Sequence, residues 1–119
     1  MERYNKTRYK GGSRMDVIKV QKRFIPMSET MFYILLSLRE ERHGYGIMLH
    51  VKEITGGRIV LGAGTIYQSL SKLQEDKLIR AGEEIDRKKM YRITDLGNQI
   101  LKIESERIAE LYKNSEGLR

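Results

Sequence analysis

Between Leu61 and Leu73 the chain brings Thr65, Tyr67, Gln68, Ser71 and Lys72 into one short stretch. These side chains offer hydroxyl, amide and ammonium donors, and no carboxylate intervenes before Glu75. Ile66, Leu70 and Leu73 are interleaved at i, i+4 and i+7, the spacing of a helix with its apolar stripe on one side. The opposite side gathers donors where an exposed helix usually mixes both charge signs. Such a face suits phosphates and base edges, which would repel a carboxylate. Gln68 and Ser71 are the candidates for base edges, because an amide can read adenine through two hydrogen bonds, and Lys72 suits a phosphate. Gly64-Thr65 opens the helix, where free backbone N–H groups and the Thr65 hydroxyl can meet one phosphate oxygen. Tyr67 sits at the margin of the face and reads either as a phosphate donor or as an aromatic packed on the neighbouring helix.

Arg87-Lys88-Lys89 forms a second concentration of donors, at a turn between two strand-like runs. Three adjacent cations on a short projection suit backbone contact, and Arg87 is the one suited to a narrow minor groove. Glu83, Glu84 and Asp86 limit how deep that projection could sit. Other chemistries find little support. The chain has no cysteine, which excludes disulfides, a thiol nucleophile and cysteine-based zinc sites. His43 and His50, with Glu53 nearby, fall short of a metal site, and a hydrogen bond at a helix end is role enough for His43. No Ser/His/Asp spacing, phosphate-cradling glycine loop or close acid pair stands out. The expectation is a chain that is not an enzyme and needs no metal or cofactor.

The charge is consistent with a polyanionic partner. Over 119 residues the formal net charge is +7, with a pI of about 9.7. Residues 1–24 carry eight bases against two acids, and residues 25–119 carry fifteen against fourteen. The excess therefore rides on an N-terminal arm, while the remainder must build any DNA face by arrangement. No run approaches the roughly 18 apolar residues of a membrane span, and no signal-peptide core is visible, so a cytoplasmic protein is expected.

Several elements must position these groups. Residues 1–23 read as a basic, mostly flexible arm with a helical turn near Asp16–Lys22. It serves either as a phosphate-seeking arm or as a solvated tail or leader ahead of a later start at Met15 or Met27. Ordered structure is expected from Pro26. Ser28 caps a first helix with Met31, Ile34, Leu35 and Leu38 on its core stripe. His43-Gly44-Tyr45-Gly46 turns into a second helix that buries Ile47, Val51 and Ile54. Arg58–Leu61 reads as a short extended piece before the third helix, at about 63–76. A strand over 78–85 follows, with Ile79, Ala81 and Ile85 on one face, then the turn Asp86-Arg87-Lys88 and a return to Thr94 with Tyr91 and Ile93 inward. Thr94 caps a last helix from Asp95 to about Tyr112. This order is that of a winged helix-turn-helix, in which the third helix enters the major groove and the hairpin touches flanking backbone or minor groove. The last helix carries more apolar surface than one small core needs. Leu96, Ile100, Leu101, Ile108, Leu111 and Tyr112 are therefore expected at a dimer interface, with intrachain packing as the alternative.

Linked blocks strengthen this reading. Phe32-Tyr33-Ile34-Leu35-Leu36-Ser37-Leu38, His43-Gly44-Tyr45-Gly46-Ile47, Gly64-Thr65-Ile66-Tyr67, Lys77-Leu78-Ile79 and Tyr91-Arg92-Ile93-Thr94-Asp95-Leu96-Gly97 occur in this order. Together they resemble the PadR family of bacterial transcriptional regulators over about residues 24–112. The resemblance implies a homodimeric repressor that binds double-stranded operator DNA, and a phosphate role for Tyr67. It also implies a small hydrophobic or aromatic effector, since some members of the family respond to such compounds. Ala63 stands where the family often has proline. The expected fold is mainly α with a small β-hairpin, comprising the arm (1–23), a winged helix-turn-helix domain (24–94) and a C-terminal dimerisation helix and tail (95–119). The expected function is sequence-specific transcriptional regulation, with a winged-helix protein-interaction module as the alternative.

Overall fold

The computed structural model describes residues 14–119, with side chains from Asp16 onward. Five helices and one hairpin follow in order: α1 (Arg14–Phe24), α2 (Glu29–Ser37), α3 (Gly44–Ile54), α4 (Ala63–Glu75), β1 (Ile79–Ile85), β2 (Lys88–Ile93) and α5 (Asp95–Asn114). Helix α1 corrects the expected boundary at residue 23. Val17, Val20 and Phe24 share one helix face, are buried in the core, and dock α1 on α5. Arg23 adds an ion pair to Asp76 at the end of α4. Three apolar side chains in a polar stretch suffice because they recur at i, i+3 and i+7. Most of the expected basic arm, including Arg3, Lys6, Arg8 and Lys10, lies outside the described residues.

Helix α2 starts where its cap dictates. The Ser28 hydroxyl accepts from the Met31 N–H at 3.1 Å, and Ile34, Leu35 and Leu38 are fully buried beyond it. In α3, Ile47 and Val51 reach the core, whereas Ile54, in the last turn, stays exposed. The extended piece expected at Arg58–Leu61 pairs with no strand. The free edge of β2 is already occupied by the chain leaving α2. Arg42 and Tyr91 exchange backbone hydrogen bonds at 3.0 and 2.8 Å, and the Ile93 N–H donates to the Leu38 carbonyl at 2.8 Å.

The hairpin pairs Ile79 with Ile93, Arg80 with Arg92 and Ala81 with Tyr91, then shifts register at a bulge before Glu84 pairs with Lys89. Tyr91 and Ile93 face inward as expected. Ile85 does not, because the bulge breaks the alternation that would have kept it on the face of Ile79. At the tip Asp86 and Arg87 have φ of 53° and 67°, the paired left-handed conformation of a tight two-residue turn.

Helix α5 divides into two halves. Leu96, Ile100 and Leu101 are buried against the chain's own core, so these three of the six expected interface residues are spent within the protomer. Ile108, Leu111 and Tyr112 lie on the outer half and are exposed. Two contacts lock the inner half. A Cβ at Gly97 would stand 2.1 Å from the Leu78 carbonyl oxygen, so only hydrogen fits between the backbones. One turn before the exposed half, Glu104 is wholly buried. It accepts from the Met27 N–H at 2.7 Å and from Arg107 at 2.6 and 2.8 Å. Nothing in the sequence distinguished this glutamate from its exposed neighbours. The Arg107 guanidinium, helped by the Met27 amide, holds its carboxyl below the usual carboxylate range despite burial.

Two outcomes are expected in urea titrations followed by circular dichroism. Gly97→Ala should lose about 3 kcal/mol or more, since the clash is with backbone. Glu104→Gln should lose about 1–3 kcal/mol near neutral pH, discounted for the partly exposed Arg107. Because the folded carboxyl titrates below the unfolded one, its stabilisation is complete above the ordinary carboxylate range and disappears as the pH falls through the folded value. The gap between parent and Glu104→Gln should therefore close on acidification; a gap independent of pH would contradict this assignment.

Candidate nucleic-acid interface

The helix N-termini fall into two kinds. Those of α2 and α5 are closed by Ser28 and Thr94, each accepting a backbone N–H, and each has an acid in its first turn. Those of α3 and α4 have neither: His43 and Gly62 make no side-chain cap, and neither first turn contains an acid. Neither start therefore spends its N–H groups and positive dipole end on a carboxylate or a side-chain cap, although Gly44 of α3 is buried beneath the Tyr67 phenol. At α4 the approach is open. Gly62, Ala63, Gly64 and Thr65 are exposed, and a Cβ at Gly62 or Gly64 would meet nothing within 4 Å.

Helix α4 buries Ile66, Leu70 and Leu73 and turns Thr65, Gln68, Ser71 and Lys72 outward, all exposed. Tyr67 is 53% exposed. Its phenol also packs on the start of α3, where a Cβ at Gly44 would come within 2.7 Å of the Tyr67 hydroxyl oxygen. The ring therefore braces α4 on α3, as the packing reading expected, while about half of the side chain stays open. Burial, with Tyr67 adding to it, pushes the Tyr91 phenol of β2 above its ordinary range. Lys72 lies 5.7 Å from the centre of the Phe24 ring, and with the Arg23–Asp76 pair this seats α1 against the end of α4. The sequence reading missed that support.

Arg87, Lys88 and Lys89 are all exposed on the hairpin. Arg87 holds the second left-handed position of the turn, and Lys89 stands opposite Glu84 in the register, which offsets part of its charge. The histidines serve the scaffold. His50 Nδ1 lies 2.8 Å from the Ser37 hydroxyl oxygen, and that hydroxyl donates to the Tyr33 carbonyl, so His50 supplies the proton of the pair and ties α3 to α2. Burial, with Arg42 nearby, lowers its pKa. His43 makes no hydrogen bond at its helix end. Its ring is folded back on Gly46, and Nε2 is buried without a partner among the described residues. No group of three possible metal ligands occurs among them.

The chain matches the profile of the Transcriptional regulator PadR-like family over residues 33–103, from α2 through the wing to the inner half of α5. Over 100 residues it is 33% identical to the Transcriptional regulator YqjI of Escherichia coli, covering 83% of this chain and 45% of that protein. The chain spans less than half the length of the curated relatives it matches. Bacillus subtilis PadR, solved in complex with operator DNA, is 34% identical with a TM-score of 0.57, over 63% of this chain and 45% of that one. A PadR family transcriptional regulator from Eggerthella lenta shares the fold at a TM-score of 0.66 and 21% identity, over 86% and 87% of the two chains. With the profile extending over more than half of its length, this chain belongs to the PadR-like family of transcriptional regulators.

Proposed function

We propose that this chain is a sequence-specific DNA-binding regulator acting in the cytoplasm. As a homodimeric repressor it would occupy a pseudo-palindromic operator over a promoter. The observation that carries this reading is the pair of uncapped, acid-free helix starts at α3 and α4, set beside a donor-lined face of α4 that meets no carboxylate before Glu75. Phosphates at these two starts would fix the register of α4 in the major groove. Gln68 and Ser71 would then meet base edges, Thr65, Tyr67 and Lys72 the backbone, and the Arg87-Lys88-Lys89 wing the flanking duplex. The exposed Ile108, Leu111 and Tyr112 on the outer half of α5 would join two protomers, setting the α4 helices roughly 34 Å apart. A small hydrophobic or aromatic effector would release the operator by changing that separation.

The deciding measurement is a titration of the parent and Gly64→Glu proteins against the native upstream duplex and a scrambled one, at several salt concentrations. The parent should prefer the native duplex by at least about 10³-fold, with affinity falling steeply in salt. Gly64→Glu projects into open space at a helix start, so it should keep or raise stability by about 0.3–1 kcal/mol. Its carboxylate should weaken binding to the native duplex at least tenfold. Equal binding of both duplexes, undisturbed by Gly64→Glu, would point to a protein-interaction module with non-specific charge attraction.

A further inference from the structure

Most described arginines are engaged. Arg23 pairs with Asp76, Arg42 binds the Ser37 carbonyl and Glu40, Arg58 pairs with Glu29, Arg107 with Glu104, and Arg119 lies over the Tyr112 ring. Arg87 at the wing tip is free. So are Arg39, Arg80 and Arg92, which form no ion pair or side-chain hydrogen bond among the described residues. These three converge on one hollow of about 510 Å³ at the root of the wing, completed by Ile93, Thr94, Asp95 and Asn98.

Their placement is costly without a ligand. Arg80 and Arg92 are direct cross-strand partners, so two like charges leave one face of the hairpin side by side, an arrangement that weakens a sheet. Both lie on the face opposite the buried Tyr91 and Ile93. The geometry points to a binding site for a phosphate-bearing small molecule of the sugar-phosphate or nucleotide class. Arg80 and Arg92 hold the phosphate, and Arg39 closes over it from the turn after α2. Planar guanidinium forks suit phosphate oxygens, and a phosphate monoester carries nearly two negative charges at neutral pH. Three arginines against the single carboxylate of Asp95 match that charge. Asp95 and Asn98 remain to accept hydrogen bonds from ligand hydroxyls, which distinguishes a phosphorylated polyol from the bare anion. The volume lies in the range of small-molecule pockets. The site stands whether or not the chain binds DNA, and it differs in chemistry from a hydrophobic effector site.

The test is calorimetric titration and thermal melting of the full chain at constant ionic strength, with ribose 5-phosphate, inorganic phosphate and ribose as probes. Ribose 5-phosphate and inorganic phosphate should bind and raise the melting temperature, and ribose should do neither. Arg80→Gln/Arg92→Gln should weaken phosphate binding at least tenfold while melting no lower than the parent, because it removes a like-charge pair. Arg39→Gln, outside the sheet, should weaken binding without touching the hairpin, and Arg87→Gln should leave it intact. The site is overturned if neither phosphate probe binds beyond a matched chloride control, or if binding survives in Arg80→Gln/Arg92→Gln. It is also overturned if that variant loses duplex affinity while no small phosphate binds the parent, which would assign these arginines to the DNA backbone.

Discussion

Three backbones meet at Leu78, and the rest of the domain is arranged around that crossing. Lys77, at φ 64°, ends α4 by turning left-handed, and Leu78 follows as the first buried residue of the wing. The Thr94 N–H donates to the Leu78 carbonyl at 2.9 Å, and the Thr94 hydroxyl donates to the Lys77 carbonyl at 2.6 Å while accepting from the Gly97 N–H at 3.0 Å. Gly97 then lets α5 lie against the same carbonyl. One threonine and one glycine thereby fix the end of α4, both ends of the hairpin and the start of α5. Helix α4 and the wing cannot move apart without breaking this knot, so the two donor surfaces form one rigid face.

That rigidity explains how a nearly neutral globular part can present a surface for a polyanion. The folded region gains little from net charge, with fifteen bases against fourteen acids beyond residue 24. Four of its acids are placed where they stabilise the fold instead: Glu29 and Asp95 in first turns, Asp76 on Arg23, Glu104 on Arg107 and Met27. What remains exposed on α4 from Ala63 to Gln74, and at the start of α3, is free of carboxylate. Positive potential here comes from where acids are missing and from helix ends left open, as much as from added cations.

The sequence disclosed the parts governed by local periodicity. Stripes at Ile34/Leu35/Leu38 and Ile66/Leu70/Leu73, the caps at Ser28 and Thr94, and the turn at Asp86-Arg87 each follow from spacing within a few residues, and each stands where it was expected. Features decided by a distant partner were not legible. Helix α1 was expected only as a turn near Asp16–Lys22, because its three buried side chains sit among cations and their packing on α5 is what gives them a purpose. The extended piece at Arg58–Leu61 joins no sheet, and the chain beside β2 is instead supplied by Arg42. Leu96, Ile100 and Leu101 looked like surplus because a helix sequence does not say how much core its neighbours leave to fill. Glu104 is the hardest case, since a glutamate in a charged helix carries no mark of the Met27 amide that holds it.

The division of α5 also constrains how a signal could travel. At 1.5 Å per residue, a helix of this length extends roughly 30 Å, and its inner half is pinned at Gly97 and again at Glu104. Between those pins it is buried against the core; beyond them it projects with Ile108, Leu111 and Tyr112 exposed. In a dimer joined through that projection, a change at the contact could not be absorbed by bending near the pins. It would reach the Leu78 crossing as a rotation of the whole domain. Helix α4 and the wing would swing together, altering the distance between protomers while each DNA face kept its shape. A ligand in the arginine hollow sits on this same crossing, against Thr94 and Asp95, and would act through the same lever. In such a dimer the fold would favour regulation by spacing over regulation by reshaping α4.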